Sequence, residues 1–595
     1  MRPGMLHAVL GSPAGSRTLA LLSMLMLSLL FASAQGEAAA AKDPIESPKA
    51  RLAQRLPLEY EGDPPGVPAK AVPGAGLAST ISFGRFTSTQ VNVQLVLGAD
   101  VDIVGDAANE PSLAVDPTNH DRMVIGWRQF DTITSNFRQA GFGFTTNGGL
   151  NWTAGKIQPG IFRSDPVLDV DAGGAFFYNS LSTSGGITSQ VFRSNSGGAT
   201  WGSPVFAFGG DKQWMAVDRT GGQGNGQLYQ VWSTAANTTA PNTFNRSVDN
   251  GASFQTPAVI PGSPIWGTLD VSSDGTVYVI GGDGNDLLTN YVARSTNARD
   301  RNITPPTFTS VPVNMGGLIR TGPPNPAGLL GQLGVAVDRS NGPRAGWVYA
   351  LGSVETPTDP LDVNFSRSTD GGVTWSAPVR VNDDPVGNRA FQWFGTMSVA
   401  PSGRIDVVWN DTRGSADSTV SALYYSYSTD GGATWSANEQ ATPTWSSMVG
   451  FPNQPKIGDY YDMTSDNDGA DLAYAATFNG GQDIYYLRIP SLVVTGVSGA
   501  PGTSHARLTS EPNPISSSAR FRFDAPSERT RVRLEIFDIR GERVTTLLDG
   551  FRSGAGQEVH WSGRSHDGST VAPGVYFCRL EMAGQSETRR LVRIR

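Results

Sequence analysis

The sequence predicts an all-β chain, a seven-bladed β-propeller with six blades as the alternative count, followed by a small β-sandwich. The first observation is a repeated octet, Ser-Thr-Asp-Gly-Gly-x-Thr-Trp, at Ser368 and again at Ser428. Relaxed copies start at Thr145, Ser194 and Ser247 and a degenerate one at Ser295, giving intervals of 49, 53, 48, 73 and 60 residues, the spacing of four-stranded blades. The second is a set of short apolar strands that recur in step with the octets. The third is composition: 71 glycines, only 16% charged residues, and runs of Val, Thr and aromatic residues between turn signals.

Taken from the N-terminus, residues 1–34 read as a cleaved signal peptide, with Arg2 and Arg17 ahead of an apolar stretch from Leu19 to Phe31 and a small-residue cleavage pattern ending at Ala34. That stretch is short for a membrane span, so export is expected. Residues 35–88 are rich in Ala and Pro without hydrophobic period and read as a disordered linker or pro-segment. The propeller is expected over 89–498. An inner strand recurs as SLAVDP at Ser112, VLDVDA at Val167, MAVDRT at Met215, LDVSSD at Leu269, VAVDRS at Val335, MSVAPS at Met397 and MTSDND at Met463. A second apolar strand follows each, and a third leads towards the octet. The seventh unit ends on its third strand, Asp483 to Ile489, so Val91 to Leu97 is expected to supply its outer strand and cover the open edge.

Within the octet, the Asp can bind nearby backbone N–H groups, the glycines allow positive φ, and the Trp can clamp the hairpin by packing across it. The octets resemble Asp boxes, the repeats of bacterial neuraminidases that occur in sialidases and other propellers. The stretch from Asn109 to Trp127 resembles the opening blade of secreted bacterial proteins of the sialidase superfamily. The resemblance covers roughly Val91 to Leu492 and implies the propeller fold. Asp249, Asp370 and Asp430 are assigned to turns, away from chemistry.

After a linker at 499–510, residues 511–595 alternate in strands separated by turns, the pattern of a β-sandwich. The phrases PNP, IFDIRGERVTTLL and GVYFCRL resemble the C-terminal type IX secretion sorting domain and the related FlgD-like immunoglobulin-like domain. That resemblance implies an outer-membrane secretion machinery as partner and a secreted or bacterial cell-surface location. Cys578 lies inside a strand there and reads as a core thiol.

A net charge of −8 argues against nucleic-acid binding, and five histidines with one cysteine exclude Cys/His zinc patterns and an intrachain disulfide. No cofactor is expected. The DNDGAD run from Asp466 to Asp471 is acidic enough for calcium but lies in a hairpin and lacks an EF-hand loop, so it is assigned no metal. A monomer is expected.

In a propeller, the loops entering the inner strands and those following the second strands share one mouth. They carry Glu110, Arg163, Asp165, Asp211, Lys212, Arg320, Arg389, Trp393, Asp459 and Tyr460, and Arg128, Asp131 and Arg413, respectively. Arginines, carboxylates and rings together suit an anionic or polyhydroxylated ligand such as a glycan or glycoconjugate. A sialidase, as the resemblance implies, uses three arginines on the sugar carboxylate, a Tyr paired with a Glu as nucleophile, and an Asp as acid/base. That implies Arg128 and Arg413 with Arg163, Arg320 or Arg389 as a third, Trp393 against the substrate, Tyr460 or Tyr461 as nucleophile, and Glu110, Asp459 and Asp131 as carboxylates. Two features depart from the family. Its Phe/Tyr-Arg-Ile-Pro motif near the propeller start is answered here only by Leu487 to Pro490 at the end of the last unit, and seven blades replace six. Two functions follow as expectations: an exo-α-sialidase-like glycoside hydrolase, or a non-catalytic surface propeller that binds glycans or proteins.

Overall fold

The computed structural model describes residues 80–92 and 106–491, except 184 and 235, and most of 508–594. The signal segment, residues 35–79 and the Val93 to Leu97 part of the expected closing strand lie outside these. The chain forms two compact units, Met1–Leu492 and Val493–Arg595.

Among the described residues of the first unit, seven antiparallel sheets of four or five strands follow one another; in the first six the strands run in chain order from the first outwards, and the seventh adds two strands from the N-terminus. The first strands are Ala107–Val115, Ser164–Val170, Trp214–Val217, Leu269–Val271, Gly334–Val337, Gln392–Val399 and Asp462–Ser465. Each touches the next, and the seventh touches the first, so the sheets surround a common axis in a propeller-like ring. Their edges are joined by side chains. Leu168 N donates to Ser112 Oγ (2.9 Å), Val217 N to Asp169 Oδ2 (2.6 Å) and Val337 N to Asp270 Oδ2 (2.9 Å). Ser465 N donates to Ser398 Oγ (2.9 Å), and Leu113 N to Asp462 Oδ2 (3.0 Å). The Ser and Asp letters that interrupt these apolar strands therefore satisfy N–H groups that have no strand partner.

The seventh sheet takes its outer strands from the N-terminus, as expected, but earlier than expected. Phe86–Gln90 pairs with Asp483–Pro490, with Ser88 opposite Leu487, and Thr80–Phe83 pairs back on it through a turn at Gly84 and Arg85. Thr80 to Ser88 is thus ordered and does not belong to the disordered linker assigned to 35–88. An alternating Thr-Ile-Ser-Phe/Phe-Thr-Ser-Thr-Gln hairpin sits at the end of the Pro-rich composition and is masked by it. Val91 and Asn92 continue the contact through Val91 N to Ile484 O (2.8 Å), Ile484 N to Asn92 Oδ1 (2.8 Å) and Asn92 Nδ2 to Asp483 Oδ1 (2.7 Å).

The octets form one turn each between third and fourth strands. In the copy at Ser428, Ser428 Oγ donates to Asp430 Oδ1 (2.8 Å), Thr434 N and Oγ1 donate to the two carboxylate oxygens (2.9 and 2.6 Å), and Gly432 N donates to Ser428 Oγ (2.8 Å). In the first copy the Trp152 indole donates back to Gly149 O of its own turn (3.1 Å), but the ring contacts of the tryptophan lie elsewhere. It wedges against the preceding sheet: Trp435 on Phe365 (5.2 Å), Trp201 on Phe142 (5.9 Å), and Trp152 on Tyr486, which joins the first sheet to the seventh (5.4 Å).

The second unit contains a three-stranded sheet (Thr509–Glu511, Ala519–Phe523, Gln557–Trp561) and a four-stranded one (Arg543–Arg552, Thr530–Phe537, Gly574–Met582, Gln585–Arg593). One buried cluster, with Phe521, Leu534, Trp561 and Leu580, serves both. Leu508 joins this core, so the unit starts slightly before the expected 511. Cys578 is buried in it, and burial raises its thiol pKa.

Candidate functional site

The loops that enter the first strands turn sharply at the axis. Glu110, Asp165, Lys212, Trp266 and Phe394 hold φ between 45° and 59° at equivalent points in five sheets, and Gly331 and Gly458 take positive φ in the other two. In the first, second and sixth sheets the pairing register shifts there. Such a bulge re-aims a side chain, and a non-glycine residue held in this backbone region costs about 1–3 kcal/mol. Its consequence is a set of charged groups on the axis.

Those groups form one buried network. Lys212 Nζ lies 2.9 Å from Asp459 Oδ2, 3.2 Å from Asp211 Oδ1 and 3.9 Å from Asp165 Oδ2. Lys456 Nζ lies 2.6 Å from Asp459 Oδ2 and 3.4 Å from Glu110 Oε1, whose other oxygen is 3.1 Å from Arg128 Nε. Asn109 and Gln454 accept from the Arg128 guanidinium at 2.8 and 3.2 Å. Burial pushes the Glu110 carboxyl well above the usual range, more than Arg128 and Lys456 pull it down. Burial also opposes ionisation of Asp459, but Lys212 and Lys456 hold its carboxyl well below the usual value; Lys212 and Arg128 likewise lower Asp165. Three cations, Arg128, Lys212 and Lys456, thus share one buried site with the carboxyl groups of Glu110, Asp165, Asp211 and Asp459. Charge pairing of this kind is what makes burial of ions tolerable.

A hairpin, Thr321–Gly322 with Asn325–Leu329, lies over this end. Leu329 N donates to Asp459 Oδ1 (2.8 Å), Asn325 Nδ2 to Gly458 O (2.7 Å), and Ser447 Oγ to Pro324 O (2.6 Å). The end expected to be an open mouth is therefore sealed, and its charged side chains are committed to one another.

No protein-family model matches the sequence, and no curated protein matches it. Among solved structures, the chain is similar to a protein of unknown function from Dyadobacter fermentans, with 14% identity over 65% of this chain and 95% of that one and a TM-score of 0.36. It is also similar to PorZ, a surface component of the type IX secretion system of Porphyromonas gingivalis, with 14% identity, 86% and 63% coverage and a TM-score of 0.38. The sialidase of Trypanosoma rangeli shows 11% identity, 82% and 84% coverage and a TM-score of 0.30.

The residues expected to share one site do not converge. Glu110, Arg128, Asp459 and Tyr460 come together at the axis. Tyr460 donates to Pro166 O (2.8 Å), and burial, with Glu110 and Asp165, raises its phenol well above its ordinary pKa. Tyr461 belongs to the core of the seventh sheet, donating to Ala475 O (2.6 Å) and accepting from Asn410 (3.0 Å). Trp393 is fully buried against Phe394 and Trp445, so it offers no platform to a substrate. Asp131 is held by Lys156 and Gln139, both at 2.8 Å. Arg413 is tied to Asp411 (2.8 Å) and Asp383 (2.5 Å), and Arg163 lies between Gln158 (2.7 Å) and Gln190 (2.6 Å). Arg320 donates to Pro360 O (3.4 Å), and Arg389 binds through its backbone N–H to Asp359 (3.2 Å). Topology correctly placed these loops at one end; it could not show that insertions cover them.

Space is found instead on the same axis towards the octet end. A cavity of about 650 Å³ runs between the first strands, with Tyr460, Trp214, Gln332 and Phe394 at its inner end and the turns after the first strands, including Asp116 to Asn119, Arg219, Arg339 and Pro401, at its rim. Sequence reasoning missed Gln332, Asp462 and Lys456. Lys456 had a signal: the sequence has only six lysines, and this one lies three residues before Asp459.

Asp466, Asp471 and His120 stand close enough together at that rim to suggest a cation site. Arg488 occupies that role instead, with Nη1 2.9 Å from Asp471 Oδ2 and Nη2 2.7 Å from Asp466 Oδ1. Asp466 also caps its own turn through Asp468 N and Gly469 N, both at 2.8 Å. The donor set is neutralised by the guanidinium and does not fit calcium.

Proposed function

We propose that the first unit is a seven-bladed, sialidase-like β-propeller that binds a ligand without hydrolysing it. In this reading the chain is exported, and a C-terminal β-sandwich of the sorting-domain kind directs it to the outer-membrane secretion machinery and the cell surface. Glycans or glycoconjugates are the proposed ligands.

The observation that carries binding over hydrolysis is the state of Tyr460. A tyrosine nucleophile needs a base that can take its proton and an open path to the anomeric carbon. Here the hydroxyl is bonded to Pro166 O, burial raises the neighbouring Glu110 carboxyl, and a hairpin covers the end of the axis that holds Glu110 and Arg128, away from the cavity that reaches Tyr460 from the octet end. A sugar carboxylate would also need three converging arginines, whereas Arg413 and Arg163 are each committed elsewhere.

The test is release of fluorophore from an α-sialoside by the intact chain beside a Tyr460→Phe variant. No turnover above buffer is expected for either. Turnover by the parent that the variant loses would replace this reading with the hydrolase. Deletion of residues 508–595, followed by protease shaving of whole cells, tests the export part: the parent should be shaved from the cells, and the deletion variant should stay inside and resist the protease.

A further inference from the structure

We infer that the axial cavity is a binding site for a neutral, hydroxyl-rich ring of monosaccharide or disaccharide size, entered from the octet end. This rests on the binding reading above and places the ligand on the face opposite to the sealed one.

The size is right for such a ligand, since small-molecule sites span about 300–1,000 Å³ and this cavity holds about 650 Å³. Small residues keep it open: Ala114, Ala216 and Ala336 line three of its walls. At its inner end, Gln332 is only 5% exposed, and neither its Oε1 nor its Nε2 has a hydrogen-bond partner in the structure. A buried amide without partners is costly, and one that faces a cavity offers a donor and an acceptor side by side, the pattern that vicinal hydroxyls satisfy. Trp214 lines the same cavity, half-buried and edge-to-face with Tyr460 at 5.2 Å, and supplies ring surface for the apolar face of a sugar.

Charge selects against an anion. The rim cations are neutralised within the protein: Arg219 pairs with Asp169, Arg339 with Asp270, and Arg122 with Asp116 at 2.5 Å. Those same pairs occupy Asp169, Asp270 and Asp116, and Asp462, which also lines the cavity, is buried and accepts from Ser112 Oγ (2.7 Å) and Leu113 N (3.0 Å). What the cavity presents is an amide, hydroxyls and aromatic surface, which together match a polyol.

The experiment is saturation-transfer NMR on the intact chain with a panel of neutral sugars (lactose, maltose, cellobiose, N-acetylglucosamine) and with sialyllactose, repeated on Gln332→Leu and Ala336→Leu. Transfer to at least one neutral sugar is expected, weakened tenfold or more by Gln332→Leu and by the narrowing Ala336→Leu. Gln332→Leu should melt no lower than the parent, because leucine replaces an amide that has no partner to lose. Absence of transfer to every neutral sugar, or transfer that survives both substitutions, would overturn the assignment. Sialyllactose binding unaffected by either substitution would move recognition away from the cavity while leaving a binding propeller intact; turnover of the fluorogenic sialoside would instead remove the binding reading itself.

Discussion

Lys212 and Asp459 meet on the axis with Nζ 2.9 Å from Oδ2, although they enter from the third and seventh sheets. Each shares the other with further charges, Asp211 and Asp165 on one side and Lys456 on the other. The contact therefore ties opposite sides of the ring through a group that water does not reach.

Removing one partner leaves the rest of the network uncompensated. Lys212→Met is expected to destabilise the fold by about 3–5 kcal/mol, the cost of an unpaired buried charge. Adding Asp459→Asn should recover part of that loss instead of doubling it. Urea unfolding of the two single variants and the double variant measures the coupling; strict additivity would mean that the two side chains act independently.

The acid groups give the stability a pH dependence with two signs. Burial pushes Asp462 up to about 7, whereas an unfolded Asp titrates near about 3.9. The folded protein thus keeps a proton that the unfolded chain releases. This contribution is fully present below pH of about 4 and is lost as pH rises towards 7. Asp459 works the other way, since its folded pKa is depressed: its contribution is present above pH of about 4 and lost as pH falls through the folded value. Asp462→Asn should flatten the decline in urea midpoint between pH 4 and 7 and leave the acid limb unchanged. A parallel curve for variant and parent would remove Asp462 from the account.

The parts of this architecture that were legible in the sequence are those where one position admits few residues. Ser428, Asp430 and Gly432 close a turn that other side chains would not satisfy, so the octets marked the first six sheets. The first strands were legible because Leu113, Val170 and Val217 recur with Asp and Ser at fixed offsets. The closing hairpin was not, because Thr87, Ser88, Thr89 and Gln90 carry no apolar signal, and Ser88 and Gln90 become buried only against Asp483–Pro490 while Thr87 stays exposed. The sealed axis was not legible either. Glu110 and Asp459 belong to the right loops, but the cover over Asp459 comes from Asn325 and Leu329, which arrive through the 73-residue interval before Ser368, the longest in the series.

Two glycines separate backbone strain from crowding. Gly387 and Gly432 have φ of 80° and 76°; an added Cβ meets nothing within 4 Å at Gly387, whereas at Gly432 it would overlap the Phe365 ring of the preceding sheet. Gly387→Ala should cost about 1 kcal/mol from the left-handed backbone alone. Gly432→Ala should cost about 3 kcal/mol, since strain and overpacking add. Chemical denaturation of both decides it; equal losses would mean that the Phe365 contact is absorbed without cost.

Ring closure gives the last prediction. Phe86–Gln90 covers the edge of Asp483–Pro490, Ser88 Oγ accepts from Tyr474 at 2.6 Å, and Arg85 reaches Glu439 of the sixth sheet at 2.7 Å. Deleting residues 80–90 would expose a long strand edge, a template for pairing with another chain. The deletion variant should melt lower than the parent and associate with rising concentration in light scattering. Because the missing strand is short and its partners stay in place, a synthetic peptide of residues 80–92 should restore both the melting temperature and the monomer. Arg85→Ala should lower the melt only slightly, as a half-exposed ion pair contributes little. A deletion variant that melts like the parent and stays monomeric would show that the seventh sheet holds its edge without the N-terminal hairpin.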